Sequence, residues 1–317
     1  MTTAAPVRIG TPHHRARVQA RRKSRGRVWG RLRRDTRALI GLSVVAAIIL
    51  MAVLAPLIAR HDPLKIDLIR GLAPPSPDHW LGTDAQGRDI WARIVYGARV
   101  SLAAGIISQG ISLALGVSLG LLAGYYGRWV DELIMRLSDV TLAFPTLLLL
   151  IAMVAALQPS LTVVFATIGI VGWAGTARLV RGQVLVVRNL EYVQAIRALG
   201  GRDFRIMLQH VLPNVIAPVI IAATLGVAGA IMAEASLSFL GLGVQPPTPS
   251  WGSMISEGRE FLRSAPWTSL FPGLAIGAAV LGFNLLGDSL RDALDPRHQE
   301  VAMPVETSAV PTSEKIP

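Results

Sequence analysis

The sequence predicts an all-α membrane protein of six transmembrane helices, and three observations carry that reading. Apolar residues, 52% of the 317, gather into long blocks, and the mean hydropathy is +0.49. Charged residues make up only 16%, against roughly 25% in a soluble protein. The basic excess, +11 in all, is concentrated in the first 37 residues, where Asp35 is the one acid. A soluble fold can hide one such apolar block, but not six. The charge alone would suit nucleic-acid binding, but a basic tail that runs straight into a span is explained by a cytoplasmic flank, so no nucleic-acid partner is expected. With no cysteine in the chain, disulfides and thiolate metal sites are excluded.

A helix needs about 20 apolar residues to cross roughly 30 Å of hydrocarbon. Blocks of that kind lie at 38–59, 100–125, 137–157, 161–177, 215–240 and 270–286, the fourth and sixth being short. Gln158, Pro159 and Ser160 part the third from the fourth and predict a tight hairpin. The first block exceeds the 7–15 residues of a signal-peptide core and has no small-residue cleavage site, so it reads as a retained anchor. The Arg-rich tail also fits a transit peptide, but a basic flank suffices. Arginine sets the orientation, since loops rich in it stay in the cytoplasm. The tail (1–37) and the loop 178–213 then lie inside, as do both termini, in a bacterial inner membrane. Residues 60–99 and 241–269 lie outside. Trp91, Trp251 and Trp267 are expected as outer interfacial anchors, and Trp129 as an inner one. The division along the chain is a basic tail (1–37), a first helix with its outer loop (38–95), a five-helix core (96–297) and a disordered tail (298–317).

The inside loop is the most informative segment. Val193, Ile196 and Leu199 recur every three residues, and Gly200-Gly201 breaks the pattern. Phe204, Met207, Leu208 and Val211 then follow at helical spacing. Two short amphipathic helices meeting at a glycine corner are expected, the second ending at Pro213. Periodicity leaves two readings open: helices lying on lipid headgroups, or an apolar face offered to a groove on a partner protein.

That segment resembles the EAA loop of bacterial ABC importer permeases. Gln194, Ala195 and Ile196 stand where the family has Glu-Ala-Ala, and Gly200, Leu212 and Pro213 sit at the family's spacings. The departure at Gln194 removes the Glu that family members offer their ATPase, leaving a hydrogen-bonding amide. Further segments are similar to the dipeptide, oligopeptide and nickel branch of that family, and to its second permease, the subunit with a long N-terminal tail. They are Leu81-Gly-Thr-Asp-Ala-Gln-Gly-Arg-Asp89, Tyr96-Gly-Ala-Arg99, Phe144-Pro145, Leu237-Ser-Phe-Leu-Gly-Leu-Gly243, Gln245-Pro-Pro-Thr-Pro-Ser-Trp-Gly252 and Asn284-Leu-Leu-Gly-Asp-Ser-Leu-Arg-Asp-Ala-Leu-Asp-Pro296. The resemblance implies a type I ABC importer permease fold. It implies a second homologous permease, two ATPase subunits and an extracytoplasmic substrate-binding protein as partners. It also implies that Gln194, Ala195, Gly200, Phe204, Met207, Leu208, Leu212 and Pro213 form the ATPase-coupling loop. Dipeptides, oligopeptides, glutathione-like compounds and nickel chelates are all substrates of such systems.

Other residues admit two readings each. Gly116, Gly120 and Gly124 let backbones approach closely in lipid, within the chain or between subunits. Glu234 falls in the fifth block, where a carboxylate must face protein or water. It is a candidate for the translocation path or gate, or for a structural hydrogen-bonding role. Pro145 should kink the third span and thereby shape the path. Asp139 is expected to pair with Arg136. Asp84, Arg88, Asp89 and Arg93 form either a solvated, self-paired cap or a landing surface for a binding protein. No phosphate loop is present, so the chain is expected to be a non-catalytic subunit whose ATP is hydrolysed elsewhere. No cofactor is expected, and His13-His14 is not read as a metal site. Two further classes compete. An ion-gradient-driven transporter usually shows inverted repeats and buried ionisable groups, and here no repeat is visible. A membrane scaffold has no use for a helix–glycine–helix knob.

Overall fold

The computed structural model describes residue 30 and residues 32–294. Most of the basic tail, including His13-His14, and the C-terminal tail lie outside the described residues. Nine principal helices are named in chain order: α1 (Thr36–Val53), α2 (Ile90–Tyr126), α3 (Arg128–Ala143), α4 (Thr146–Leu157), α5 (Leu161–Val187), α6 (Glu191–Ala198), α7 (Leu212–Phe239), α8 (Trp251–Gly258) and α9 (Trp267–Leu294). Among the described residues the β pairing is confined to one bridge, Thr83 to Asp89. Among the described residues five helical stretches are long and apolar enough to cross a membrane, and a sixth span results if α3 and α4 are taken together.

The sixth span, read as short, is a helix of 28 residues, Trp267–Leu294, and four further differences from the hydropathy reading have physical causes. The second span begins at Ile90, ten residues before the apolar block that predicts it. Asp89 caps α2 through Ala92 N, 2.7 Å away, and the helix runs unbroken for 37 residues, about 55 Å at 1.5 Å per residue. It therefore serves both as span and as support for the outer cap. The third span is broken rather than kinked: α3 and α4 meet at 91° across Phe144-Pro145. The fourth span continues ten residues beyond Ala177 to Val187, because Arg178 and Arg181 are neutralised by Asp139 and Asp131 on α3. Arg181 Nη2 lies 2.6 Å from Asp131 Oδ2. Asp139 thus pairs with Arg178, 39 residues away, and not with Arg136. Finally, the second loop helix does not end at Pro213. A π-helical turn at Met207–Val211 joins it to α7, so that Pro213 lies inside one continuous helical stretch, Asp203–Phe239.

The core follows from small residues at helix crossings. α2 packs along α5. A Cβ on Gly116 would lie 2.5 Å from Thr176 Cβ, one on Gly120 2.5 Å from the Ala177 carbonyl oxygen, and one on Gly124 2.7 Å from Val184 Cβ. The glycine stripe is therefore spent on intrachain packing. α7, α9 and α1 complete the bundle, with Ala228, Ile231, Ile276, Ala279, Phe283, Val45 and Ile48 buried between them. Trp251 is not an interfacial anchor. It is fully buried, and its indole Nε1 donates to the Ile94 carbonyl at 3.0 Å, fastening α8 to α2. Trp129 is 71% exposed, as an anchor requires.

The candidate coupling loop and the groups along the bundle

The loop after α5 is built on a glycine-terminated helix. In α6, Glu191 lies in the first turn and Arg197 in the last, each complementing the helix dipole. Gly200 then takes φ +80°, its N–H donating to Arg197 O at 3.0 Å, while the Gly201 N–H donates to Ile196 O at 3.0 Å. These are the paired bonds of a Schellman turn, which reverses the chain at a left-handed residue. A Cβ on Gly200 meets nothing within 4 Å, so its glycine requirement is one of backbone angle alone, while a Cβ on Gly201 would lie 2.9 Å from Ile196 O.

The corner divides the loop's apolar residues into two sets. Val193, Ile206, Met207 and Val211 are buried with Leu121, Val180, Val184, Val187 and Val215 at the end of the bundle. Leu199, Phe204 and Leu208 are 87%, 69% and 41% exposed. Helical spacing put Phe204, Met207 and Leu208 on one face. The structure turns Met207 inward with Ile206, a residue the periodicity did not single out, and leaves Phe204 and Leu208 outside. Gln194 and Ala195 are exposed as well, and Gln194 Nε2 reaches Asn189 O at 3.4 Å. Leu212 and Pro213 are half-buried at the entry to α7.

Polar contacts lock this loop to α2. Tyr125 Oη donates to Asp203 Oδ1 at 2.7 Å, and the Arg197 guanidinium lies 5.8 Å from the Tyr125 ring centre. Arg188 Nη1 donates to the carbonyls of Gly124 (2.7 Å) and Tyr125 (3.2 Å), satisfying the C-terminal end of α2. Between these groups lies a cavity of about 770 Å³, lined in part by Arg128, Arg188, Gln194 and Arg197. Any force on the loop is thus delivered to α2 and α5 together.

Glu234 is fully buried within this chain. Its carboxylate accepts from Ser238 Oγ at 2.6 Å and Ser101 Oγ at 3.3 Å, and Ser250 Oγ donates onward to Ser238 Oγ at 3.3 Å. The four groups tie α7 to α2 and to the start of α8. Pro145 lies elsewhere, exposed at the α3–α4 elbow.

The cap is self-paired, and its ion pairs border a cavity of about 300 Å³. Arg93 is 2% exposed and pairs with Asp84 and with Glu257, its Nη1 lying 2.8 Å from Glu257 Oε2. Arg88 bridges the same two acids at 2.7 and 2.6 Å. The sequence reading missed Glu257, which is 164 residues from Arg93 and in no shared motif.

This arrangement, a bundle of membrane-length helices with a glycine-cornered loop at one end, is that of a multi-pass membrane protein. The family described as binding-protein-dependent transport system inner membrane component matches residues 116–300, and the N-terminal TM domain of oligopeptide transport permease C matches residues 25–75. The chain belongs to the binding-protein-dependent transport system inner membrane component family and is a multi-pass inner-membrane protein. It is 49% identical to the dipeptide transport system permease protein DppC of Alkalihalophilus pseudofirmus, over 84% of this chain and 88% of that one. It is 42% identical to the oligopeptide transport system permease protein OppC of Bacillus subtilis (84% and 88%), and 44% identical to the glutathione transport system permease protein GsiD of Pectobacterium atrosepticum (85% and 90%). Among solved structures, a chain of the MetNI methionine ABC transporter shares the fold at TM-score 0.53 and 17% identity, covering 65% of this chain and 98% of that chain.

Proposed function

We propose that this permease forms half of the translocation path of an ATP-driven importer for dipeptides, oligopeptides or similar small solutes. It pairs with a second homologous permease, two ATPase subunits and an extracytoplasmic substrate-binding protein. The loop 191–214 docks on an ATPase, with both termini cytoplasmic. The substrate class rests on the names of the relatives, and the orientation on the arginine asymmetry.

The observation that carries the coupling role is the division of the loop's apolar residues. One set is buried against α2, α5 and α7, while Leu199, Phe204 and Leu208 stay exposed on the far side of a Schellman corner. An apolar face held rigidly and left uncovered suits a groove on a partner. Gly200→Val tests it, since a β-branched residue at φ +80° is strained even where space is open. The variant is expected to stay in the membrane with the second permease, to lose most co-purifying ATPase and to lose substrate-stimulated ATP hydrolysis. Normal recovery and normal stimulation would leave the loop as a lipid-surface element.

A further inference from the structure

Two histidines and a buried carboxylate meet in the outer cap, and neither the permease fold nor the coupling loop uses them. One donor atom from each of His61, His79 and Asp89 lies within 4.8 Å of the others. His79 Nδ1 is 2.8 Å and His61 Nδ1 3.6 Å from the same oxygen, Asp89 Oδ2. The two imidazole rings are 4.7 Å apart, tilted by 33°. We propose that these three residues bind a divalent transition-metal ion of the Zn²⁺ type, which fastens the chain leaving α1 to the start of α2.

Three features make this a built site. The first is the aim of the carboxylate. Asp89 is 4% exposed, and its Oδ1 is committed to Ala92 N at 2.7 Å, so Oδ2 is held toward the imidazoles. Hydrogen bonding that orients a ligand in this way is usual around protein-bound metals. The second is the scaffold. His79 is set in a turn by Ser76 Oγ, which accepts its N–H at 3.1 Å, and by its carbonyl, which accepts from Ser76 N at 2.8 Å and Gly82 N at 2.9 Å. His61 is brought alongside by its neighbours. Arg60 lies 4.2 Å over the Trp80 ring, Trp80 packs on Trp91 at 5.9 Å, and Trp91 Nε1 donates to Ile58 O at 3.4 Å.

The third is the donor chemistry. Ligand atoms about 2.0–2.2 Å from a tetrahedral zinc are roughly 3.3 Å from one another. The two separations to Asp89 Oδ2, 2.8 and 3.6 Å, lie to either side of that edge, and the two histidine donor atoms are within 4.8 Å of each other. Two imidazoles and one carboxylate suit Zn²⁺ better than Mg²⁺ or Ca²⁺, which prefer all-oxygen sites. On loading, the ion takes the place of the proton between His79 Nδ1 and Asp89 Oδ2. His79 then binds as the neutral tautomer with its one proton on Nε2, any second proton passes to solvent, and the 2.8 Å edge widens by a few tenths of an ångström. His61 is half-exposed, which leaves the fourth position for water.

The inference stands apart from the transport reading, and its test needs no transport. The full chain is purified in detergent with a tag other than polyhistidine, carrying His13→Ala and His14→Ala so that the tail adds no ligands. Zinc binding is measured by competition with a chromophoric chelator. One Zn²⁺ per chain is expected, bound at least about 100-fold more weakly after His61→Ala, where loss of a residue that merely orients a ligand brings 10–100-fold. X-ray absorption of the loaded protein should show two imidazole nitrogens at about 2.0 Å. Zinc should raise the unfolding temperature of the chain with His61 and leave the His61→Ala chain unmoved. His61 makes no short hydrogen bond that its removal would break, so that variant is expected to fold. His79→Gln provides a second measurement. No zinc bound at micromolar concentration, or equal affinity with and without His61, would overturn the proposal and leave a histidine–carboxylate hydrogen bond.

Discussion

The cap around the start of α2 and the loop after α5 are both polar segments between spans, yet they solve opposite problems. The charged centre of the cap closes on itself, while Ile66, Leu68 and Ile69 at its rim are 57%, 75% and 97% exposed. Its charged groups, Asp84, Arg88 and Arg93, are buried and share Glu257 from a distant helix, and its tryptophans donate hydrogen bonds inward. The loop keeps its arginines near the surface and leaves three large apolar side chains uncovered. Buried charge is expensive unless paired, so it makes a rigid and self-sufficient unit. Exposed apolar area on a fixed backbone marks a surface awaiting another molecule.

Substitutions should separate the two regions, and the cap should give the largest effect. Removing one partner of a buried ion pair costs about 3–5 kcal/mol because the other charge is stranded. Arg93→Met is therefore expected to lower the unfolding temperature sharply and to cut the amount of folded protein recovered in detergent. An unfolding temperature within experimental error of the parent chain would mean that the cap is looser than its distances imply.

The loop should show an internal contrast of intermediate size. Ile206→Ala empties a fully buried position, at a cost of about 2–5 kcal/mol, and should appear as lost stability. Phe204→Ala, at an exposed position, should leave stability within about 0.5 kcal/mol while reducing ATPase recovery. Equal stability losses for the two, with ATPase recovery untouched, would erase the distinction between an inner and an outer face. The smallest effect on ATPase recovery is expected of Tyr125→Phe. It removes the hydrogen bond to Asp203, worth about 1.5–3 kcal/mol if the acceptor is charged. ATPase should still bind, but hydrolysis should respond less to substrate, since the loop's tie to α2 is weakened. An unchanged response would place the coupling route through α5 and α7 instead.

Legibility in the sequence followed the range of the interactions. The spans announced themselves because hydropathy is a local property, and the corner at Gly200 because only a few residue types tolerate a left-handed turn. Boundaries set by distant partners did not show. Nothing near Arg178 in sequence reveals that Asp139 and Asp131 allow α5 to run on to Val187. Glu257 was invisible for the same reason. Periodicity placed Met207 with Phe204, because an ideal helical wheel cannot foresee the π-helical turn that begins at Met207 and shifts the faces. His61 and His79 have no spacing that reads as a metal motif, since the chain between them is a loop whose path is fixed by Trp80 and Trp91.

The elbow at Phe144-Pro145 bears on how the cell keeps this chain. α4 has 12 residues, about 18 Å of helix, which is well short of the hydrocarbon core. At the elbow the last carbonyls of α3 have no intrahelical donors, and Leu142 to Leu148 are exposed on this chain. Bare carbonyls in lipid cost several kcal/mol each, so the elbow requires water or another protein beside it. If the proposed second permease is what covers the elbow, a copy synthesised without that companion would hold an unhealed defect in the bilayer, a feature that membrane proteases and chaperones select. The abundance of this subunit should then be set by the supply of its companion rather than by its own rate of synthesis.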